Sequence, residues 1–249
     1  VILIAACLTQ IGTNLTNDLF DYIKGADNND RLGPKRAMQA GLILESEMKR
    51  AIFIVFSLSI CFGFYLALLG GWIIVGIGLL SILFAILYTG GPYPLAYNGL
   101  GDIFVFIFFG LIAVSGTYYL YTDYFSINSF ILGSSAGCLA TAILVVNNLR
   151  DIDNDKEYGK NTLAVYFGKK FTQFEYLLLM IIVYIIPIYI SIDLGNKASI
   201  YIVYFTLPIC IRLIIDVFYK KNSMLNETLE ATAKLLLLYS LLLSFGIVV

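Results

Sequence analysis

Two stretches of this sequence concentrate the side chains that could do chemistry. In the first, Asn14, Asn17, Asp18 and Asp21 are spaced so that all four lie on one face of a helix. This polar face stands at the end of an otherwise apolar segment, where ionisable groups are costly and usually face a cavity or the interior of a helix bundle. The spacing favours a cation-binding face, and a solvated helix end is the alternative.

The second stretch, Asn147–Leu163, mixes acidic and basic residues between two apolar segments. Asn147, Asp151 and Asp155 recur every four residues and share a face if a helix continues through them, whereas Asp153 points away from that face. The pattern predicts a second carboxylate face, and a hydrophilic loop is the alternative.

Two carboxylate faces without any histidine favour a hard cation. The sequence contains no His, and its four cysteines stand singly in apolar runs without the spacing of metal ligands. Mg²⁺ takes oxygen ligands and binds through a few carboxylates together with substrate phosphates. Several basic residues beside the two faces could bind phosphate oxygens, or could instead anchor the chain at a membrane surface: Lys24, Arg36, Arg150, Lys156 and Lys160. We therefore predict Mg²⁺ as cofactor and a diphosphate as ligand.

The elements that must position these faces are transmembrane helices. Of the 249 residues, 59% are hydrophobic and only 13% are charged, about half the charged share of a soluble domain. We expect an all-α, polytopic transmembrane bundle with helices at about residues 1–22, 50–69, 71–88, 100–121, 127–149, 173–192, 198–218 and 230–249. Gly70-Gly71 is predicted to form the turn between the second and third of these eight helices.

The loops alternate in their content of lysine and arginine. The loops after the first, fifth and seventh helices hold nearly all of these residues, whereas the opposite loops hold only Lys197. Because positive loops remain in the cytoplasm, we expect a multi-pass protein of the cell (inner) membrane with both acidic faces on the cytoplasmic side. The net charge of −1 gives no indication of a nucleic-acid partner.

A cation site at the mouth of an apolar helix bundle suits an amphiphile with a diphosphate head and a long hydrocarbon tail. The alternative from a different class is a cation-coupled transporter that uses intramembrane acids. A transporter would need acids near the middle of the membrane, whereas the acids here cluster at helix ends on one side. The pattern therefore favours an enzyme acting on an amphiphilic diphosphate.

The same stretches resemble the motifs of the UbiA superfamily of intramembrane prenyltransferases. NLTNDLFDYIKGAD (Asn14–Asp27) resembles its first Asp-rich motif, and NNLRDIDNDKEYGKNTLAVYFG (Asn147–Gly168) resembles its second. Two further segments, Tyr88–Tyr119 and Arg31–Ile43, are similar to the branch of 1,4-dihydroxy-2-naphthoate polyprenyltransferases of menaquinone synthesis.

This resemblance implies a fold and an activity. The fold would have nine transmembrane helices around a central cavity open to the cytoplasm, within a single domain over residues 1–249. Because the sequence opens with Val1 inside an apolar run, we expect the first of the nine helices to be missing from it. The activity would be Mg²⁺-dependent transfer of a polyprenyl group from polyprenyl diphosphate to dihydroxynaphthoate, which gives demethylmenaquinone. Other acceptors used in the superfamily, such as homogentisate or 4-hydroxybenzoate, are the alternative.

The resemblance also assigns roles to residues. The implied catalytic carboxylates, which with Asn14 would also be the metal ligands, are Asp18, Asp21, Asp151 and Asp155. The predicted substrate-binding residues are Asn14, Asn17, Lys24, Arg36, Tyr88, Asn147, Arg150 and Lys156.

The loop after Tyr88 differs from some members of the superfamily. They carry a basic residue in this loop, whereas this chain has none between Thr89 and Gly101. Tyr88, Tyr93 and Tyr97 are candidates to flank the reacting centre instead. No general base can be assigned from the sequence. Asp102 is the best additional carboxylate, with helix capping as the alternative reading.

Overall fold

The computed structural model describes residues 1–27 and 31–249, and these residues are helical without any strand. The all-α class is therefore confirmed. Residues 28–30, which directly follow the first Asp-rich motif (Asn14–Asp27), lie outside the described residues. The α-helices are α1 (Ile2–Ile23), α2 (Glu45–Leu87), α3 (Gly101–Val105), α4 (Ala113–Thr122), α5 (Ile127–Glu157), α6 (Leu163–Asp193), α7 (Leu207–Tyr219) and α8 (Leu225–Val248). A π-helical segment, Phe106–Ile112, joins α3 to α4, and short 3₁₀ helices occupy Leu95–Asn98, Ala198–Thr206 and Asn222–Met224.

Six helical segments of the described chain are long and apolar enough to cross a membrane, where the sequence predicted eight. They are Glu45–Leu87, Gly101–Thr122, Ile127–Glu157, Leu163–Asp193, Ala198–Tyr219 and Asn222–Val248. The difference has two causes. The helix α1 is not among them because polar residues fill its second half, and α2 covers both helices that were predicted on either side of Gly70-Gly71.

The long helix α2 is broken at Gly71, where the sequence predicted a turn. Gly71 has φ 65° and ψ −157°, a conformation that glycine adopts because it lacks a Cβ. A straight helix of 43 residues would be about 65 Å long, roughly twice the thickness of the hydrocarbon core. The break divides α2 into two arms, each of about the length that one crossing needs.

Helix α5 extends beyond its predicted end near residue 149 and runs through the second acidic stretch to Glu157. Its continuation fulfils the condition under which Asp151 and Asp155 share a face. Both of these side chains are buried, whereas Asp153 is exposed. The prediction that Asp153 points away from the other two is therefore confirmed. Helix α6 also begins earlier than predicted, at Leu163, and has a break at Gly168 (φ 80°).

The described chain divides into two compact units. The first unit comprises Val1–Gly101, Gly116–Phe125 and Asp153–Thr162, and the second comprises Asp102–Ser115, Ser126–Ile152 and Leu163–Val249. In the first unit α1 packs along α2, with Leu19, Met38 and Met48 buried between them and the loop after α1.

The second unit holds the larger apolar core. The buried face of α5 packs there with side chains from α6, the 3₁₀ helix Ala198–Thr206, α7 and α8. Val145, Val146, Tyr176 and Val183 are completely buried in this core. A single domain over residues 1–249 stays a prediction.

Candidate active site

The end of α1 carries two buried carboxylates that fold the following loop back onto the helix. Asp18 accepts hydrogen bonds from the backbone N–H groups of Ala37 (3.1 Å) and Met38 (3.4 Å). Met38 is itself buried against α1. The apolar contact and the two hydrogen bonds together fix the loop beside the polar face of α1.

Arg36 neutralises the second carboxylate of this face. Its Nη1 donates to Asp21 Oδ2 (2.8 Å), to Asp27 Oδ2 (3.0 Å) and to the backbone carbonyl of Asn17 (3.0 Å). Arg31 pairs with the other oxygen of Asp27 at 2.9 Å. Arg36, predicted to bind substrate, thus pairs with Asp21 of the predicted acidic face and with Asp27, which was not predicted as part of it.

Tyr97 contributes a ring and a hydroxyl to the same cluster. Its hydroxyl donates to Asp21 Oδ1 (2.8 Å). Lys24 Nζ lies 4.0 Å from the centre of its ring and donates to the carbonyl of Thr89 (2.5 Å). Burial and the nearby charge of Asp21 raise the pKa of the Tyr97 phenol, so it remains a hydrogen-bond donor at neutral pH. The Thr89 hydroxyl in turn donates to Asn17 Oδ1 (2.9 Å).

The first unit also contains the last residues of the second acidic stretch. Asp155 is buried and pairs with Lys160, whose Nζ lies 3.6 Å from Asp155 Oδ1 and 5.8 Å from the centre of the Tyr97 ring. The backbone N–H of Asn161 donates to the carbonyl of Tyr97 (3.1 Å). The structure therefore brings Asp18, Asp21 and Asp155 into one unit together with Lys24, Arg36 and Lys160.

The predicted residues of the second unit form a separate hydrogen-bonded group. Both oxygens of Asp151 accept from Arg150, at 2.8 Å from Nε and 2.5 Å from Nη2. The guanidinium also donates to Asn147 Oδ1 and to Asn226 Oδ1, each at 2.7 Å. Asn226 lies in the first turn of α8 and belongs to no motif, so the sequence offered no signal for it.

The remaining predicted residues lie at less buried positions. Asn14 is exposed and accepts a long hydrogen bond from Gln10 Nε2 (3.5 Å), Lys156 is exposed near the end of α5, and Tyr88 is half-buried. From the sequence, Tyr97 was only a candidate to flank the reacting centre, and Lys160 was only one of several basic residues that could bind phosphate. Their packing around Asp21 and Asp155 makes them part of the cluster in the first unit.

The first unit offers carboxylate oxygens as possible ligands of Mg²⁺. Across residues 1–27 and 31–249, no three His, Cys, Asp or Glu side chains are arranged as a metal-binding group. The donor type nevertheless fits, because carboxylate oxygens are the ligands that Mg²⁺ prefers and it needs only one or two of them when phosphates supply others. Asp18 and Asp21 each accept two hydrogen bonds in the contacts above, and a carboxylate has about four acceptor positions.

Comparison with known proteins gives one family. The sequence model of the UbiA prenyltransferase family matches residues 1–242. The 1,4-dihydroxy-2-naphthoate octaprenyltransferase of Haemophilus influenzae is 34% identical over 99% of this chain and 82% of its own length. The protein of the same name from Escherichia coli K12 is 46% identical, and that match covers 67% of this chain and only 56% of the relative.

The fold has a solved counterpart. An apo structure of a UbiA homolog from Aeropyrum pernix K1 superposes with a TM-score of 0.69, over 99% of this chain and 89% of that chain. Its sequence identity is 17%, so this likeness concerns the fold alone.

Proposed function

This chain belongs to the UbiA prenyltransferase family, and we propose that it transfers a polyprenyl group from polyprenyl diphosphate to 1,4-dihydroxy-2-naphthoate in menaquinone biosynthesis. The products would be diphosphate, CO₂ and demethylmenaquinol, the reduced form of demethylmenaquinone. The observation that carries the proposal is the buried cluster of the first unit, in which Lys24, Arg36 and Lys160 surround Asp21 and a tyrosine ring. Carboxylates alone would repel a diphosphate, whereas carboxylates interleaved with cations can hold one. The names of the two octaprenyltransferases support the choice of acceptor.

The carboxylates of the first unit would hold Mg²⁺ through Asp18, Asp21 and Asp155. Asp151, which is buried in the second unit, is proposed as a further ligand because the resemblance to the second Asp-rich motif assigns it that role. When bound, Mg²⁺ supplies positive charge that offsets the charge of the diphosphate.

The basic residues would bind the oxygens of the diphosphate. Burial lowers the pKa of Lys24, and although Asp21 opposes this effect, the positive charge of Lys160 adds to it. Two ammonium groups that repel each other beside one ring are stabilised when an anion lies between them. We therefore assign Lys24 and Lys160 to the leaving group, with Arg36 holding Asp21 in place.

The reaction begins as the allylic C–O bond breaks and its electron pair leaves with the diphosphate. Preoriented cations stabilise the charge that develops there at little cost of reorganisation. The electron-rich naphthoate ring supplies the pair for the new C–C bond, and the ring loses its carboxylate as CO₂. Tyr97, which stays protonated, keeps its hydrogen bond to Asp21.

The chain is an integral membrane protein, and we propose that both acidic stretches face the cytoplasm from the cell (inner) membrane. This orientation follows from the distribution of lysine and arginine among the loops. Its polyprenyl donor would then occupy the bilayer, with the diphosphate at the cytoplasmic surface.

The test is a prenylation assay with the purified protein, dihydroxynaphthoate and allylic diphosphates of several chain lengths. We expect a prenylated, decarboxylated product that disappears when Mg²⁺ is chelated. Prenylation of 4-hydroxybenzoate but not of the naphthoate would refute the acceptor, and the absence of any product would refute the activity.

The ligand assignment has a matched pair of variants on one helix. Asp155→Ala should abolish turnover because it removes a buried carboxylate of the cluster, whereas Asp153→Ala should retain it because Asp153 is exposed on another face of α5. Near-normal activity of Asp155→Ala would contradict the assignment.

A further inference from the structure

Arg150, predicted as a contact of the diphosphate, already uses most of its donors within the protein. An arginine has five N–H groups, and four of them are engaged here: two with Asp151, one with Asn147 and one with Asn226. The residue is only 4% exposed. One N–H on Nη1 is left for any ligand, which makes Arg150 a poor direct clamp for a phosphate.

The pairing of Arg150 with Asp151 also needs support from outside the pair. Neighbouring side chains on a helix point about 100° apart, so residues i and i+1 do not normally face each other. The guanidinium must therefore turn back along α5 to reach both oxygens of Asp151. Asn147, three residues earlier, holds Nη2 from the same helix, and Asn226 holds Nη1 from α8.

The turn that presents Asn226 is anchored by a buried leucine, and ion pairs of Lys220 lie at its surface. Lys220 Nζ lies 3.1 Å from Asp216 Oδ2 on α7 and 3.4 Å from Glu227 Oε2 on α8. Leu225, beside Asn226, is almost completely buried. These contacts place the first turn of α8 where the amide oxygen of Asn226 meets the guanidinium.

We propose that Arg150 and Asn226 are positioning residues, which orient the Asp151 carboxylate for the Mg²⁺-diphosphate instead of binding the diphosphate themselves. The inference deepens the proposed function and rests on it, since Asp151 must be a ligand for its orientation to matter. It assigns a role to the first turn of α8, which lies outside both Asp-rich motifs. A charge-assisted fork with both oxygens held fixes a carboxylate more tightly than a single hydrogen bond does.

The experiment measures binding of inorganic pyrophosphate in the presence of Mg²⁺, by the shift of the melting temperature of the purified full chain. Asn226→Ala should weaken this binding about tenfold. This is the lower end of the loss of affinity that follows when a group that orients a metal ligand is removed. Asn226→Asp keeps an oxygen that accepts from Arg150 and should bind close to the unaltered protein. Asn128→Ala is the matched control, because Asn128 also makes one inter-helix hydrogen bond in the second unit, to Asp193 (2.7 Å).

The double variant separates positioning from a merely structural role. In an Asp151→Ala background the further change Asn226→Ala should have no additional effect on pyrophosphate binding, because the carboxylate it orients is gone. An equal loss in both backgrounds, unaltered binding by Asn226→Ala, or a defect of Asn226→Asp as large as that of Asn226→Ala would each overturn the inference. If the unaltered chain binds no pyrophosphate with Mg²⁺, the proposed metal site fails and this inference with it. If the unaltered chain binds pyrophosphate and the Asn226 variants bind it equally well, this inference fails but the proposed function stands.

Discussion

Replacing Arg36 by alanine is expected to leave two buried carboxylates without their shared cation. The guanidinium lies 2.8 Å from Asp21 and 3.0 Å from Asp27, whose side chains are 5% and 3% exposed. The same nitrogen donates to the carbonyl of Asn17. Arg36 therefore ties the loop after α1 to the polar face of that helix, and its loss should lower the stability of the first unit.

The size of the effect follows from burial. Removing one partner of a buried ion pair costs about 3–5 kcal/mol, because the other charge is left without compensation. Arg36 is 27% exposed, so water can partly replace it, and Arg31 still pairs with Asp27. We therefore expect Arg36→Ala to lower the free energy of unfolding by about 3 kcal/mol, at the lower end of that range.

The assay is a denaturant titration of the detergent-solubilised protein, followed by circular dichroism. Lys49→Ala is the matched control, because Lys49 and Glu45 form an ion pair at 2.5 Å with side chains 59% and 50% exposed. An exposed pair at this helical spacing is worth only about 0.3–0.5 kcal/mol. Arg36→Lys should fall between the two, since lysine keeps the charge but loses the planar fork.

A loss for Arg36→Ala no larger than that of the Lys49 control would refute the reasoning that burial makes this cation necessary. A second variant tests the charge itself. In the double variant Arg36→Ala/Asp27→Asn, one of the two buried carboxylates that lost their cation is neutral. This variant should recover part of the lost free energy of unfolding. If the two changes are simply additive, Arg36 and Asp27 are not coupled.

Three further outcomes are expected. Tyr97→Phe should lower the free energy of unfolding by about 1.5–3 kcal/mol, because Asp21 loses a buried hydrogen bond. The control, Tyr93→Phe at an exposed position, should change the free energy of unfolding by less than about 0.5 kcal/mol. Equal losses for the two variants would contradict the role of Tyr97. Gly110→Ala should lower the free energy of unfolding by about 1–3 kcal/mol, since the Cβ of the new alanine would lie 2.5 Å from backbone atoms of α5. An unchanged free energy of unfolding would show that this contact can relax. A cysteine introduced as Glu157→Cys, in a chain without its native cysteines, should react with an impermeant maleimide only from the cytoplasmic face, and reaction from outside would reverse the proposed orientation.

Helical periodicity predicted which aspartates of α5 share a face, because the direction of a side chain within one helix depends only on residue spacing. The spacing of Asp151, Asp153 and Asp155 was sufficient to separate the two buried carboxylates from the exposed one. It could not show that α5 would extend to Glu157, since the apolar run ends some eight residues earlier. Continuation of a polar helix depends on what its last turns pack against, which is a property of the tertiary structure.

Hydropathy likewise predicted membrane helices, including the two that α2 joins across its break at Gly71. The double glycine at 70–71 marked a break in the backbone, and Gly71 has the positive φ that such a break needs. Whether the arms on either side remain one hydrogen-bonded helix is decided by local geometry that composition does not encode. The polar second half of α1 shows a related limit, because a helix that carries site residues loses the apolar signal by which a span is identified.

The sequence by itself determined the class of the protein, the two acidic stretches and the chemistry they favour. These features depend on residue type and on spacing along one helix, both of which can be read from the chain. Only the tertiary structure decided which cation meets which carboxylate. Arg36 pairs with Asp21 and Asp27, Lys160 with Asp155, and Arg150 is held by an asparagine 76 residues away. Hydrogen bonds and ion pairs need atoms within about 3–4 Å, and for residues far apart in sequence that approach is set by how the helices pack.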